Sequence, residues 1–144
     1  LWFSEAAGNR VGRITMDGVV TEFTIPSHDS QPRAMTTHPD GSIWFVQTST
    51  NSLGRIDREG SITEHKVTTP DSSLRGVCVG PEGDLWFTAN AVNKIGRMRP
   101  DGSMVGEYPI PTPGSGARCI GLHSNGRLYV TLFDAGMIGE VIPQ

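Results

Sequence analysis

The sequence lacks the features that mark several large functional classes. It has no excess of positive charge, since 12 Lys and Arg residues stand against 15 Asp and Glu residues and give a net charge of −3. It therefore lacks the basic surface that nucleic acids require. It also has no run of about 18 apolar residues and no charged leader followed by a cleavage site, which argues against a membrane span or a secretory signal. We expect neither nucleic acid nor a membrane among its partners.

Cysteine is scarce, with only Cys78 and Cys119 in the chain. The two residues fall in successive units of a repeat but at different depths, so we expect no disulfide. No pair of histidines accompanies them to complete a zinc site. We interpret both as small buried hydrophobic residues. His38 and His123, which hold equivalent positions before a turn, are expected to be exposed.

The sequence does contain a repeat. One phrase occurs four times at intervals of 42, 42 and 43 residues: Leu1-Trp2-Phe3, Ile43-Trp44-Phe45, Leu85-Trp86-Phe87 and Leu128-Tyr129-Val130. A unit of about 40 residues with several short strands is typical of a propeller blade, whose small sheet buries its faces only when neighbouring blades stack on it. Alternation along each phrase should send the aromatic side chains into the contacts between blades.

Turn signals within each unit predict four strands per blade. In the third unit the predicted strands are Arg75–Val79, Asp84–Thr88, Lys94–Met98 and Ser103–Ile110. Counting along the chain gives three, four, four and three strands. We therefore predict an all-β chain, a β-propeller portion of about three and a half four-stranded blades. Residues 1–144 form a single segment with repeats at about 1–26, 33–70, 75–113 and 118–142, and both terminal blades are incomplete. Missing blades or another chain would be needed to close the ring.

A propeller carries its functional site at the mouth of the central channel, where inner strands meet their loops. Each complete inner strand has one arginine near that end: Arg33, Arg75 and Arg118. Two-residue hairpin turns predict the partners of these arginines across the sheet. They place Arg33 and Ala34 opposite Thr48 and Gln47, Arg75 beside Ala89 and Asn90, and Arg118 beside Leu132 and Phe133.

A ring of guanidinium groups suits an anionic or carbonyl-rich ligand. Alternatively, each arginine pairs with a local carboxylate such as Asp29, Asp71 or Asp134, or with loop carbonyls. We favour this second interpretation, because repeated positions usually hold a repeat together. Further ligand-facing candidates at the same rim are Glu5, Gln47 and Asn90.

The unit from Leu85 to Pro113 combines Leu-Trp-Phe-Thr, Asn-Lys-Ile-Gly-Arg, Asp-Gly and Glu-Tyr-Pro-Ile-Pro-Thr-Pro. It resembles the repeat of the streptogramin B lyases, also called virginiamycin B lyases, and the resemblance covers the whole chain. It implies a seven-bladed propeller and a carbon–oxygen lyase that opens the depsipeptide lactone of the antibiotic by Mg²⁺-dependent elimination. It also implies antibiotic resistance and a cytoplasmic location.

The resemblance further implies histidines on the inner strands of the last two blades, one acting as a base, and carboxylates in the last blade that hold Mg²⁺. The histidine positions carry Arg75 and Arg118 in this sequence. One carboxylate position carries Gly116, and the other falls on Phe133 or, with a one-residue gap, on Asp134. Asp134 is thus the candidate metal ligand. No catalytic residue is assigned, because an arginine stays protonated near neutral pH.

Three functions therefore stay open. The first is a lyase of this family. The second is a non-catalytic binding module that holds a small-molecule or peptide-like ligand at an arginine-lined channel rim. The third is structural, a half-ring that stacks on another chain. The related six-bladed lactonase class shares the blade length but generally uses acidic metal ligands in its channel, which this sequence does not offer.

Overall fold

The computed structural model describes residues 1–142. These residues form fourteen β-strands and no helix, so no segment within them has the length and apolar character of a membrane-spanning helix. The strands are β1 Trp2–Glu5, β2 Arg10–Ile14, β3 Val20–Thr24, β4 Pro32–Thr37, β5 Ile43–Gln47, β6 Ser52–Ile56, β7 Ile62–Lys66, β8 Leu74–Val79, β9 Leu85–Ala89, β10 Lys94–Met98, β11 Met104–Pro109, β12 Ala117–Leu122, β13 Leu128–Leu132 and β14 Met137–Val141.

The strands form four antiparallel sheets of three, four, four and three strands, each in chain order. This arrangement confirms the predicted partial β-propeller with incomplete terminal sheets. Every strand of the third blade lies within one residue of its predicted bounds. The prediction succeeds because alternation and turn residues are local signals.

The core lies between the blades. Trp44 packs in a cluster with Leu85 and Phe87 of the third blade, whereas the next residue, Phe45, packs in a cluster with Val11 of the first blade. Trp44 and Phe45 are both completely buried. Successive aromatic residues thus fill opposite faces of one sheet, as predicted, and each such side chain stabilises the stack by about 1.5–3 kcal/mol.

The inner hairpins are one residue longer than predicted. In the second blade the N–H of His38 donates to the carbonyl of Ser42 at 2.9 Å, and the N–H of Gly41 donates back to the carbonyl of His38 at 2.9 Å. Gly41 has a φ of 86°, which a side chain would oppose. The loop is therefore a turn followed by a left-handed glycine, and the prediction of a two-residue turn was wrong.

This longer loop changes the pairing of the inner strand. Met35 lies opposite Phe45, and a register shift then brings Pro32 opposite Gln47. Arg33 and Ala34 consequently lie in a bulge and do not pair with Thr48 and Gln47 as predicted. The same shift occurs in the next two blades, where Leu74 pairs with Ala89 and Ala117 pairs with Leu132 in place of Arg75 and Arg118.

One asparagine in each of the first three blades ties the exit of the outer strand to the start of the next inner strand. Asn51, with a φ of 54°, donates from Nδ2 to the carbonyl oxygens of Val67 at 3.4 Å and Thr69 at 2.8 Å. Its Oδ1 accepts the backbone N–H of Ser72 at 3.0 Å. Asn9 and Asn93 make the equivalent bonds in their own blades.

Two of the minor expectations were wrong. Cys78 is buried as expected, but Cys119 is exposed, and both are free thiols. His38 is not an exposed turn residue. Its side chain is only 11% exposed and lies against the next blade, where the Nε2–H donates to the carbonyl of Gly83 at 3.1 Å. His123 is exposed as predicted.

Candidate functional site

The candidate site lies where three inner strands meet. Strand β8 packs between β4 and β12, and each of the three strands has its register shift at the same place. Arg33, Arg75 and Arg118 each occupy that shift. A bulge leaves a residue unpaired in the ladder and turns its side chain away from the regular alternation. The fold therefore presents one arginine from each of three adjacent blades at one end of the channel.

Threonine hydroxyls hold these bulges in place. Thr88 Oγ1 accepts the N–H of Gly76 at 2.8 Å and donates to the carbonyl of Arg118 in the next blade at 2.7 Å. Thr131 Oγ1 accepts the N–H of Cys119 at 3.0 Å in the same way. The second blade has Val46 at the equivalent position. These contacts were not predictable from the sequence, since a threonine in a strand carries no signal for the blade to which it will bond.

Two side chains at the rim bridge to the following blade. Thr48 Oγ1 donates to the carbonyl of Leu74 at 2.8 Å, and Asn90 Nδ2 donates to the carbonyl of Ala117 at 2.9 Å. Asn90 thus lies at the rim but is already bonded to the neighbouring inner strand. These bonds fix the backbone on one side of Arg75 and Arg118.

The three arginines carry uncompensated charge. Arg33 and Arg118 are exposed and Arg75 is partly buried. Among residues 1–142 the ion pairs engage other basic side chains, and none joins these arginines to Asp29, Asp71 or Asp134. Burial lowers the pKa of Arg75, and the positive charges of Arg33 and Arg118 lower it further. The favoured interpretation of local carboxylate partners is therefore wrong for residues 1–142, and Arg75 lies within range of the charges of Arg33 and Arg118.

An aromatic ring supports one of these guanidinium groups. The Cζ of Arg118 lies 3.7 Å from the ring centroid of Phe133, a cation–π contact. Phe133 is 62% exposed. The ring therefore supports the guanidinium group of Arg118 while both side chains stay exposed. This contact was also not predicted, because Phe133 was placed only as a neighbour of Arg118 in the ladder.

Glu5 and Gln47 occupy equivalent positions of the repeat but turn into the protein. Gln47 is completely buried, lies close to Gly54, and accepts a bond from Thr50 Oγ1 at 2.7 Å. Within the described part of the chain, Gln47 Nε2 and Glu5 Oε1 are buried without a hydrogen-bond partner. The structure therefore places the three arginines on the bulges of adjacent inner strands, with Asn90 at the same rim. Gln47 is buried in the sheet packing, and Glu5 is partly buried with one buried carboxylate oxygen.

The residues at the candidate metal position do not fit Mg²⁺. Asp134 is exposed and offers one carboxylate. A Cβ at Gly116, which has a φ of 64°, would lie 2.3 Å from the Asp134 Oδ2, so a second carboxylate has no room there. Residues 1–142 contain no cluster of three or more metal-binding side chains, whereas Mg²⁺ needs several oxygen ligands. Phe133, the residue before Asp134, carries the guanidinium group of Arg118 on its ring. This positive charge further disfavours a cation beside Asp134.

Known proteins resemble this chain in sequence. Residues 1–144 match the family described as the virginiamycin B lyase family. The virginiamycin B lyase of Nocardia farcinica is 38% identical over 42 residues, which are 29% of this chain and 15% of that protein. The virginiamycin B lyase of Bordetella parapertussis is 47% identical over 36 residues, which are 25% of this chain and 12% of that protein.

Solved structures extend the likeness to nearly the whole chain. A catalytically inactive variant of virginiamycin B lyase from Staphylococcus aureus, crystallised with quinupristin, superimposes with a TM-score of 0.95 at 38% identity and covers 99% of this chain and 48% of that one. A streptogramin B lyase structure gives a TM-score of 0.88 at 31% identity and covers 99% of this chain and 51% of that one. This chain thus spans about half the length of those enzymes. It belongs to the virginiamycin B lyase family.

Proposed function

We propose that the full-length protein is a lyase that opens the lactone ring of streptogramin B antibiotics and so confers resistance to them. The observation that carries this proposal is the TM-score of 0.95 with a virginiamycin B lyase crystallised with quinupristin. In such an elimination, a base removes the proton from the carbon next to a carbonyl. The carbon–oxygen bond of the lactone breaks, a carbon–carbon double bond forms, and a carboxylate leaves.

The residues of this chain contribute binding to that reaction. Arg75 and Arg118 stand where the family resemblance places histidines, and a guanidinium group stays protonated at neutral pH, so neither serves as the base. A guanidinium group does bind a carboxylate in a bidentate manner. The arginines are therefore suited to hold the carboxylate that the elimination releases. We assign no step to Mg²⁺, because the donors described here do not fit it.

The lyase proposal is tested by incubating the full-length protein with quinupristin and analysing the products by mass spectrometry. Elimination gives a linear product with the mass of the substrate but a different retention time, whereas hydrolysis adds one water. Parallel reactions with added Mg²⁺ and with a chelator show whether turnover requires the metal. A substrate that is recovered unchanged in both reactions rejects the lyase function.

A second candidate function is ligand binding without turnover. The absence of ion-pair partners for Arg33, Arg75 and Arg118 within residues 1–142 favours it. A binding module would hold an acidic small molecule or peptide at the channel rim and release it unchanged. It predicts saturable binding of an acidic ligand with no product, and it fails if all three arginines can be replaced without loss of affinity.

We also propose that further blades, or another chain, pack on the terminal sheets. Large apolar side chains are exposed there, including Val20 at 50%, Leu122 at 44% and Ile138 at 74%. A propeller buries such residues when the ring closes. Sedimentation of residues 1–144 alone should show self-association, whereas the full-length protein should sediment as a compact particle. A monodisperse monomer of the 144-residue chain would count against this packing.

A further inference from the structure

Three like charges at one place require a counter-charge. Arg75 is partly buried between Arg33 and Arg118, and like charges in a partly desolvated site repel each other more strongly than in water. The carboxylates nearest in sequence, Asp29, Asp71 and Asp134, form no ion pair with them in the part of the chain that the structure describes. The two neighbouring guanidinium groups are thus an unfavourable environment for the charge of Arg75, and a bound anion would offset that repulsion.

The position of Arg118 is preorganised. The bulge that carries Arg118 is held on both sides by hydroxyls, through its own carbonyl and Thr88 at 2.7 Å and through Cys119 and Thr131 at 3.0 Å. The guanidinium group of Arg118 is stacked on Phe133. Fewer degrees of freedom are lost on binding when the groups are already oriented. A guanidinium fork also matches the two oxygens of a phosphate or carboxylate.

We propose that Arg33, Arg75 and Arg118 together bind one small molecule that carries two or more phosphate or carboxylate groups. This inference deepens the second candidate function and rests on it, because it names the ligand class of the same rim. Three cations at a single place on a chain with a net charge of −3 form a point site. Such a site suits a compact oligo-anion, whereas a polyanionic polymer needs an extended basic surface.

The inference is tested by titrating the full-length protein with pyrophosphate, citrate and acetate in separate calorimetric experiments at constant ionic strength. Pyrophosphate and citrate distinguish phosphate from carboxylate recognition, and acetate shows whether a single charge suffices. We expect one site per chain for at least one of the two oligo-anions and no measurable binding of acetate. Replacing Arg33, Arg75 and Arg118 together by Gln should weaken that binding by about 1,000-fold, since each charge-assisted bond contributes roughly tenfold.

The single variant Arg75→Gln has a matched control in Arg127→Gln. This control also removes one positive charge, but Arg127 lies away from the rim in an exposed pair with Glu140 at 2.6 Å. The control should bind the anion as the wild type does, and a single Arg75→Gln variant should weaken binding about tenfold. Thermal unfolding of each variant checks that it is folded. The anion should raise the melting temperature of the wild type and of Arg127→Gln but not that of the triple variant.

Two results would overturn the inference. One is that neither pyrophosphate nor citrate binds the wild type, and the other is that the triple variant and Arg127→Gln bind the anion equally well. If the oligo-anions fail while an acidic peptide still binds at the rim, this inference fails and the broader binding function stands. Turnover of quinupristin is measured separately, so loss of the lyase proposal leaves the anion test unaffected.

Discussion

The hydroxyl of Thr88 lies 2.7 Å from the carbonyl oxygen of Arg118 and joins the third blade to the fourth. The hydroxyl oxygen of Thr88 also accepts the N–H of Gly76 at 2.8 Å. Thr88 is completely buried. One buried hydroxyl therefore satisfies a donor on one inner strand and an acceptor on the next, beside the arginine cluster.

We predict that Thr88→Val destabilises the protein by about 1–3 kcal/mol, because it leaves the N–H of Gly76 and the carbonyl of Arg118 without partners at nearly unchanged side-chain volume. Urea unfolding measures the change as a lower transition midpoint. Thr131→Val is the matched control, since Thr131 is exposed and accepts only from Cys119. Its effect should be within about 0.5 kcal/mol. Equal effects of the two substitutions would show that the bond between blades adds no stability.

Gly76→Ala should be strongly unfavourable. A Cβ at this position would lie 2.3 Å from the carbonyl oxygen of Arg118 and 3.1 Å from the Cα of Cys119. The two inner strands would have to separate, at a cost of about 1–3 kcal/mol or more. Gly121→Ala, also on an inner strand, places its Cβ in open space and should leave the melting temperature nearly unchanged. Equal melting temperatures of the two variants would show that the close approach of β8 and β12 does not require glycine at position 76.

Glu107 should make stability depend on pH. Burial acts to raise the pKa of Glu107, but hydrogen bonds from the side chain and backbone of Thr69 and from Lys94 outweigh it, so the pKa is lowered from its ordinary value of 4.5. A depressed pKa in the folded state gives a stabilisation that is complete above about pH 4.5 and is lost as the pH falls through the folded value.

The difference in unfolding free energy between the wild type and Glu107→Gln should therefore be largest near neutral pH and shrink below about pH 4. Chemical denaturation at several pH values measures it. Glu59→Gln alters an exposed turn residue, and its effect should stay small throughout. A Glu107→Gln difference that does not vary with pH would contradict the role given to these hydrogen bonds.

The two cysteines should differ in reactivity. Burial raises the pKa of the Cys78 thiol to about 12, so it forms little of the reactive thiolate, whereas Cys119 is exposed. Native residues 1–144 should take up one equivalent of iodoacetamide and the unfolded chain two, as counted by mass spectrometry. Cys119→Ser should abolish labelling of the native chain. Rapid modification of Cys78 would be inconsistent with its burial.

The sequence predicted the blades far better than the site. Strand boundaries follow from local alternation and from glycine turns, so the repeat predicted the number of strands and placed those of the third blade to within one residue. The predicted position of Arg33 in the ladder was wrong, because one additional residue in the loop at Gly41 and a bulge shift the register of the inner strand. Contacts between blades were not predictable from the repeat, since Val46 and Thr88 hold the same position and only Thr88 bonds the next strand.

In each of the first three blades, one asparagine makes its bonds within its own repeat and the start of the next. Asn51 contacts Val67, Thr69 and Ser72, and Asn93 contacts Ile110, Thr112 and Ser115. The crossing of the chain from one blade to the following one is therefore encoded within about 22 residues, and a duplication of one repeat would copy it whole. Tandem duplication of a repeat would therefore add a whole blade without any change to the residues that form the crossings.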